Sequence, residues 1–285
     1  MHIGVEIFPT DQTIGPIELA KAVEDRGFES LWFPEHSHIP TSRETPWGGR
    51  EGAPPLPDFY SRTYDPFVAL GAAAAVTSTL KLATGICLVA QRDPIHTAKQ
   101  VASVDALSEG RFIFGVGYGW NKEEMRQHGT AYGERRAILR ENILAMKSLW
   151  TDEEAAFAGE HVTIESSWAW PKPVQFPNPP IVLGGDAGPK TAADIAELCD
   201  GWMPIGGRHA LDKWPAIEAA CEAIGRDPAS IEVGVFSAPA DESKLTDLAA
   251  AGVRRAVFGL PQGHRDEVLA ALDAMAPLVE ALRAA

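Results

Sequence analysis

Residues 66–116 read PFVALGAAAAVTSTLKLATGICLVAQRDPIHTAKQVASVDALSEGRFIFGV, and the alternation inside this stretch sets the architecture. Pro66–Thr77 reads as a helix opened by proline, Lys81–Val89 is apolar almost throughout, Pro94–Leu107 opens on proline again, and Phe112–Val116 is a second apolar run. Proline suits the first turn of a helix, where its missing N–H would have had no partner anyway. Strands apolar on both faces belong to a parallel sheet covered by helices on each side. The stretch is therefore helix, strand, helix, strand in a parallel α/β chain.

The pattern continues outward in both directions. Toward the N-terminus lie strand His2–Phe8, helix Ile14–Gly27 and strand Ser30–Pro34. Toward the C-terminus come helix Arg135–Leu149 and four strand–helix pairs: Ile181–Leu183 with Lys190–Leu198, Gly201–Pro204 with Leu211–Ile224, Ile231–Phe236 with Ser243–Ala251, and Arg255–Phe258 with Glu267–Leu282. Eight strands, each followed by a helix, is the count of a (β/α)8 TIM barrel. A doubly wound open sheet is the alternative, since periodicity alone does not close a barrel. Two stretches break the pattern: the Pro/Gly-rich segment from Pro40 to Tyr64, and Gly159–Pro180, with a hairpin expected around Val162–Ile164. Irregular segments of this length in a compact domain are commonly functional. The chain reads as one domain over residues 1–285 with insertions after strands 2 and 4.

With 285 residues, 45% of them apolar and 22% charged, the chain has the composition of a globular protein. A chain of this size buries roughly 75% of its unfolded surface and needs neither disulfides nor a structural metal to fold. Cys87, Cys199 and Cys221 are odd in number and form no CxxC pair, which fits a reducing compartment. The net charge of −14 disfavours nucleic-acid and anionic membrane partners. The N-terminal MHIGVEIFPT lacks a secretory pattern, and the apolar run Val68–Val76 is short of the ~20 residues a membrane helix needs. A cytoplasmic protein acting on a small molecule is expected.

Barrel sites are assembled at the C-terminal ends of the strands. In PIVLGGDAGPKTA, residues 180–192, a strand ends in Gly184-Gly185, followed by Asp186-Ala187-Gly188 and a helix opening at Pro189-Lys190-Thr191. Free N–H groups at a helix start, the helix dipole and the Thr191 hydroxyl suit a phosphate. A plain turn with Asp186 as N-cap is the other reading. After the second strand, Glu35-His36-Ser37-His38 places two imidazoles at i and i+2, as in barrel metallohydrolases. Strands five, six and eight end in GGD, MPIGG and VFGLP without histidine, and His209 and Asp186 fit poorly as further ligands, so no metal is expected. His36 is read instead as a proton-transfer or hydrogen-bonding group beside a cofactor, against the plainer reading of a loop histidine. There is no GxSxG elbow, Walker A loop or dinucleotide fingerprint.

Three segments carry a family likeness: FESLWFPEHSHIP, DPFVALGAAAAVTSTLKLATGICLVAQRDPIHTAKQVASVDALSEGRFIFGVGYGWNKEE and PIVLGGDAGPKTAADIAELCDGWMPI. The sequence resembles the luciferase-like superfamily of flavin- and deazaflavin-dependent oxidoreductases, most closely the branch using coenzyme F420 rather than FMN. The resemblance implies a TIM barrel, usually dimeric, and hydride transfer to or from a small organic substrate. It implies that His36, with Glu35 beside it, forms the catalytic pair against the ring. It further implies that Thr84, Gly85 and Ile86 form the supporting turn with a non-prolyl cis peptide at Gly85–Ile86. Gly117 and Trp120 join the cofactor set, and Gly184, Gly185, Asp186, Ala187, Gly188 and Thr191 take the phosphate. Trp120 stands where sugar-phosphate-oxidising relatives carry glutamate, which points to reduction of an unsaturated or carbonyl substrate. Residues 40–64 would close over the site, with Arg43, Arg50 and Arg62 either meeting an acidic cofactor tail or remaining solvated. An FMN-dependent monooxygenase and a non-catalytic flavin-binding relative are the alternatives.

Overall fold

The computed structural model describes residues 1–206 and 208–284. In chain order its elements are β1 (His2–Glu6), α1 (Pro16–Asp25), β2 (Ser30–Phe33), α2 (Pro66–Ala74), β3 (Lys81–Thr84), α3 (Pro94–Leu107), β4 (Phe112–Val116), α4 (Lys122–Gln127), α5 (Arg135–Thr151), β5 (Ala155–Ala158), β6 (Thr163–Ser167), β7 (Ile181–Gly184), α6 (Pro189–Leu198), β8 (Gly201–Met203), α7 (Trp214–Ala223), β9 (Glu232–Val235), α8 (Glu242–Ala250), β10 (Arg255–Gly259) and α9 (Arg265–Ala284). Eight parallel strands close in the order β1-β10-β9-β8-β7-β4-β3-β2. Closure rests on β1 pairing with β10 from His2↔Arg255 to Glu6↔Gly259. That pairing excludes the open sheet.

Helix starts follow their sequence signals. Asp65 accepts from Val68 N at 3.0 Å and Asp93 from His96 N at 2.7 Å, each just before the proline that opens α2 or α3. An aspartate N-cap of this kind is worth about 1 kcal/mol. The barrel interior is filled by Trp32, Ala83, Ile113, Val182, Met203, Phe236 and Val257, with Ile86 above them. Trp32 is fully buried and its indole N–H donates to Ser30 Oγ at 2.8 Å. Truncating such a residue to alanine costs about 3–5 kcal/mol. At the opposite end Arg255, 8% exposed, pairs with Glu29 at 2.8 Å and with Glu232, closing the barrel floor.

The departures from expectation fall in the connections and at strand ends. The third strand stops at Thr84 rather than Val89: Thr84 Oγ1 donates to Gly115 O at 2.7 Å, the Gly85–Ile86 peptide is cis, and a 3-10 turn occupies Val89–Gln91. Ile86 to Val89 read as strand because they are apolar, and an apolar run does not distinguish a buried strand from a buried turn. A short helix, α4, follows β4 unannounced. The hairpin is longer than Val162–Ile164, pairing β5 with β6 and starting before Gly159. The helix expected from Leu211 begins at Trp214, after a 3-10 stretch over Arg208–Lys213. All three cysteines are buried and free. Among the described residues, no helix is long and apolar enough to cross a membrane.

Candidate active site

A cavity of about 690 Å³ opens at the C-terminal ends of the strands. A slightly larger one, about 740 Å³, lies at the other face among His2, Trp214, Glu232 and Arg254, where barrel residues serve stability. The mouth cavity gathers Glu35, His36, Gly85, Ile86, Gly117, Trp120, Gly184 and Gly185 from the expected set. Ile86 is its backing wall. A Cβ on Gly117 would stand 2.5 Å from Ile86 Cδ1, and one on Gly184 2.8 Å from Ile86 Cγ2. Glycine at both positions lets the Ile86 side chain lie between β4 and β7 without turning away.

Thr84, Asp186, Ala187, Gly188 and Thr191 do not line the cavity. Thr84 is fully buried and holds the turn through Gly115. Ala187 packs inward at 1% exposure, while Asp186 is exposed. Gly188, not Asp186, is the N-cap of α6, and Pro189 at the first position leaves the Lys190 and Thr191 amides for a ligand. A Cβ on Gly185 or Gly188 meets nothing within 4 Å, so this turn borders open space beside the cavity.

His36 is 8% exposed and sits between two rings, Tyr60 at 5.1 Å and Trp120 at 5.7 Å between centroids. Its Nδ1 lies 2.7 Å from Glu124 Oε2 on α4. Glu124 is fully buried, and its Oε1 accepts from Ser37 N at 3.0 Å and Gln91 Nε2 at 2.9 Å. Burial pushes the Glu124 carboxyl up, but hydrogen bonds and charge from His36, with those from Gln91 and Ser37, outweigh it and hold the group below the usual range. An ionised carboxylate only accepts, so the Nδ1 proton points at Glu124 and Nε2 is left for the cavity. Asn121 caps α4 by accepting from Glu124 N at 3.4 Å, which fixes the residue on the helix's first turn.

Glu35 lies at the cavity edge with both oxygens taken, one by Arg92 at 2.6 Å and the other by Leu88 N at 2.7 Å. Glu6, the last residue of β1, also lines the cavity. Register pairs it with Trp32 and Gly259, and its Oε1 accepts from Ser237 Oγ at 2.7 Å and Ser237 N at 3.1 Å. Burial raises the Glu6 carboxyl above the ordinary glutamate range, and the two Ser237 bonds offset it only in part. Tyr118 turns its hydroxyl away to Asp194 at 2.5 Å; burial and that carboxylate push the phenol up. The segment over the mouth contributes Trp47, Arg50 and Tyr60. Its base is tied down where Glu123 Oε1 accepts from Glu44 N at 3.2 Å and Thr45 N at 3.3 Å. Of its arginines, Arg50 lines the cavity, Arg43 lies over the Trp120 ring, and Arg62 is spent on Asp58 and Asp11.

Residues 15–275 match the family model described as luciferase-like monooxygenase. The chain belongs to the luciferase-like family. An uncharacterised protein of Mycobacterium tuberculosis is 41% identical over 281 residues, spanning 97% of this chain and 98% of that one. The F420-dependent hydroxymycolic acid dehydrogenase of the same organism is 27% identical over 231 residues, spanning 79% of this chain and 58% of its own length. Among solved structures, monooxygenase RslO1 from Streptomyces bottropensis superposes with a TM-score of 0.80 at 18% identity, over 99% of this chain and 100% of that one. The luciferase-like barrel is thus shared at the level of fold with an oxygenase, while a relative detectable by sequence is named for F420.

Glu124, Tyr60 and Glu6 are the site residues that the sequence reading passes over. Glu6 leaves a signal: in HIGVEIF a carboxylate takes the same inward alternation as Gly4, inside an otherwise apolar strand. Glu124 leaves one too, as the glutamate three residues after Asn121, the spacing of a capping box. His38 is drawn toward α4 instead of the cavity: ligand-capable atoms of His38, Glu124 and His128 lie within 4.8 Å of one another. The His209 side chain lies outside the described residues.

Proposed function

We propose that this luciferase-like protein is an F420-dependent oxidoreductase that exchanges a hydride between the deazaflavin and a small organic substrate. One observation carries the reading: a single mouth cavity brings together an apolar wall at Ile86, the Glu124-held imidazole of His36 and the glycine turn at Gly184–Gly185. Its volume, about 690 Å³, suits a tricyclic ring with a modest substrate. Open space at Gly185 and Gly188, beside the free amides of α6, suits the phosphoryl group. F420 is preferred to FMN because of the dehydrogenase relative named for it.

When bound, the deazaflavin supplies or accepts the hydride; the protein's part is to orient, desolvate and manage the proton. Ile86, Gly85 and Gly117 back the ring, Thr84 holds the turn, and the 184–188 turn with Thr191 holds the phosphate. Trp120 and Tyr60 confine the substrate side and exclude water. His36 Nε2 exchanges the proton that accompanies the hydride, its tautomer set by Glu124. Glu6, whose carboxyl burial shifts toward its acid form, faces the same cavity, where in that form it donates a hydrogen bond to a substrate acceptor such as a carbonyl oxygen. Glu35, with both oxygens committed, is given a scaffolding part rather than the catalytic one first expected.

Parallel titration with F420 and FMN, followed by absorbance and fluorescence, tests the assignment. Micromolar binding of F420 alone is expected; binding of neither overturns it. The structural likeness to a monooxygenase supports the second reading, an FMN-dependent oxygenase, for which oxygen uptake with reduced cofactor is the distinguishing signal. The chain is further taken to work as a homodimer of one domain, without nucleic-acid or membrane partners; light scattering gives the mass.

A further inference from the structure

We infer that His38, Glu124 and His128 form a binding site for one divalent transition-metal ion of the zinc class, behind His36 and outside the mouth cavity. Their ligand-capable atoms lie within 4.8 Å of one another. Glu124 and His128 stand four residues apart at α4, hence on one face, and His38 meets them from the segment after β2.

What occupies the middle at present is one hydroxyl. Ser37 Oγ lies 2.8 Å from His38 Nδ1, 2.6 Å from His128 Nε2 and 3.3 Å from Glu124 Oε1. The hydroxyl donates its one hydrogen to His38 Nδ1 and can accept from His128 Nε2, so it marks the point at which the three side chains converge. A cation at that point would meet a lone pair from each of His38, His128 and Glu124.

The orientation of His38 is already that of a ligand. Its Nε2 lies 2.6 Å from Gln127 Oε1, an oxygen that only accepts, so the ring proton is on Nε2 and the Nδ1 lone pair faces the centre. Metal-ligating histidines are held in this way by an acceptor on the second ring nitrogen. Two imidazoles and a carboxylate favour zinc, cobalt or iron over calcium or magnesium. Bonds of about 2.0–2.1 Å in a tetrahedral site need ligand atoms about 3.4 Å apart. Exposed His128 supplies both the rotamer freedom for that closure and a route from solvent. Glu124 Oε2 keeps His36 Nδ1 at 2.7 Å, so the oxygen that faces the ion is Oε1, which must release either Ser37 N or Gln91 Nε2 to coordinate.

The probe is Co²⁺ added to the metal-free full chain, read by its visible d–d absorption, with Zn²⁺ as competitor. One ion per chain is expected, with an absorption typical of four-coordinate nitrogen and oxygen ligands that Zn²⁺ bleaches. His128→Ala, at an exposed position, and His38→Ala should each weaken binding by about 100-fold or more with unchanged circular dichroism. Ser37→Ala, which empties the centre, should retain it. Absence of saturable binding, or binding unchanged in both histidine variants, overturns the site. None of these readouts requires a deazaflavin, so failure here is distinguishable from failure of the assigned activity.

Discussion

Replacing Glu124 by glutamine changes one oxygen to an NH₂ group and reverses the hydrogen-bond direction at His36. In the native chain the carboxylate accepts from His36 Nδ1 at 2.7 Å, from Ser37 N at 3.0 Å and from Gln91 Nε2 at 2.9 Å. Glutamine can keep Oε1 toward Ser37 and Gln91, but its nitrogen then faces His36 Nδ1, which must become the acceptor. The ring proton moves to Nε2, the nitrogen left for the cavity. Hydrogen bonds to a charged group contribute about 1.5–3 kcal/mol against about 1 for neutral ones, so the exchange should cost about 1–2 kcal/mol of stability. Turnover should fall more steeply, by about 10²–10⁴, because the wrong tautomer meets the substrate. Urea denaturation supplies a sign as well as a size. The Glu124 carboxyl is held below the ordinary 4.5 in the fold, so its contribution is present above that value and vanishes as pH falls through the folded one. The stability gap between native chain and variant should therefore be full at pH 7 and shrink in acid. A gap under about 0.5 kcal/mol at pH 7, within the range of an ordinary surface substitution, or one that persists undiminished at low pH, refutes the reasoning.

Three further outcomes are expected. His36→Ala should lower turnover by about 10²–10⁴ while cofactor affinity changes little, measured by steady-state kinetics beside fluorescence titration; unaltered turnover removes the imidazole from the mechanism. Gly117→Ala places a Cβ 2.5 Å from Ile86 Cδ1, so it should destabilise the fold by about 1–3 kcal/mol and weaken cofactor binding, and wild-type values on both would mean that Ile86 does not form the wall. Glu6 has a carboxyl raised by burial, so the unfolded chain ionises first and the native fold loses stability as pH rises through the raised value. Glu6→Gln should accordingly gain melting temperature relative to the native chain between acidic and neutral pH, and a constant difference across that range counts against a neutral Glu6.

The barrel was readable from one dimension because its signals are local. Proline after Asp65 and Asp93 starts two helices, apolar runs such as Phe112–Val116 mark strands covered on both faces, and alternation fixes the parallel order. The glycines at 117 and 184 and the position of His36 at a strand end were equally visible. What linear reading misjudged lies where side chains from distant segments compete for one place. Glu35 and Glu124 are both acidic and both close to the mouth, yet Arg92 captures the first and His36 the second, a choice made by which strand end faces which helix. Likewise β3 ends at Thr84 because Gly115 across the sheet accepts its hydroxyl, and no neighbour in sequence announces that partner. Periodicity is a property of adjacent residues and survives in the sequence. Proton ownership, ligand convergence and strand endings depend on pairs 30 to 90 positions apart, and they come into being only when the barrel closes.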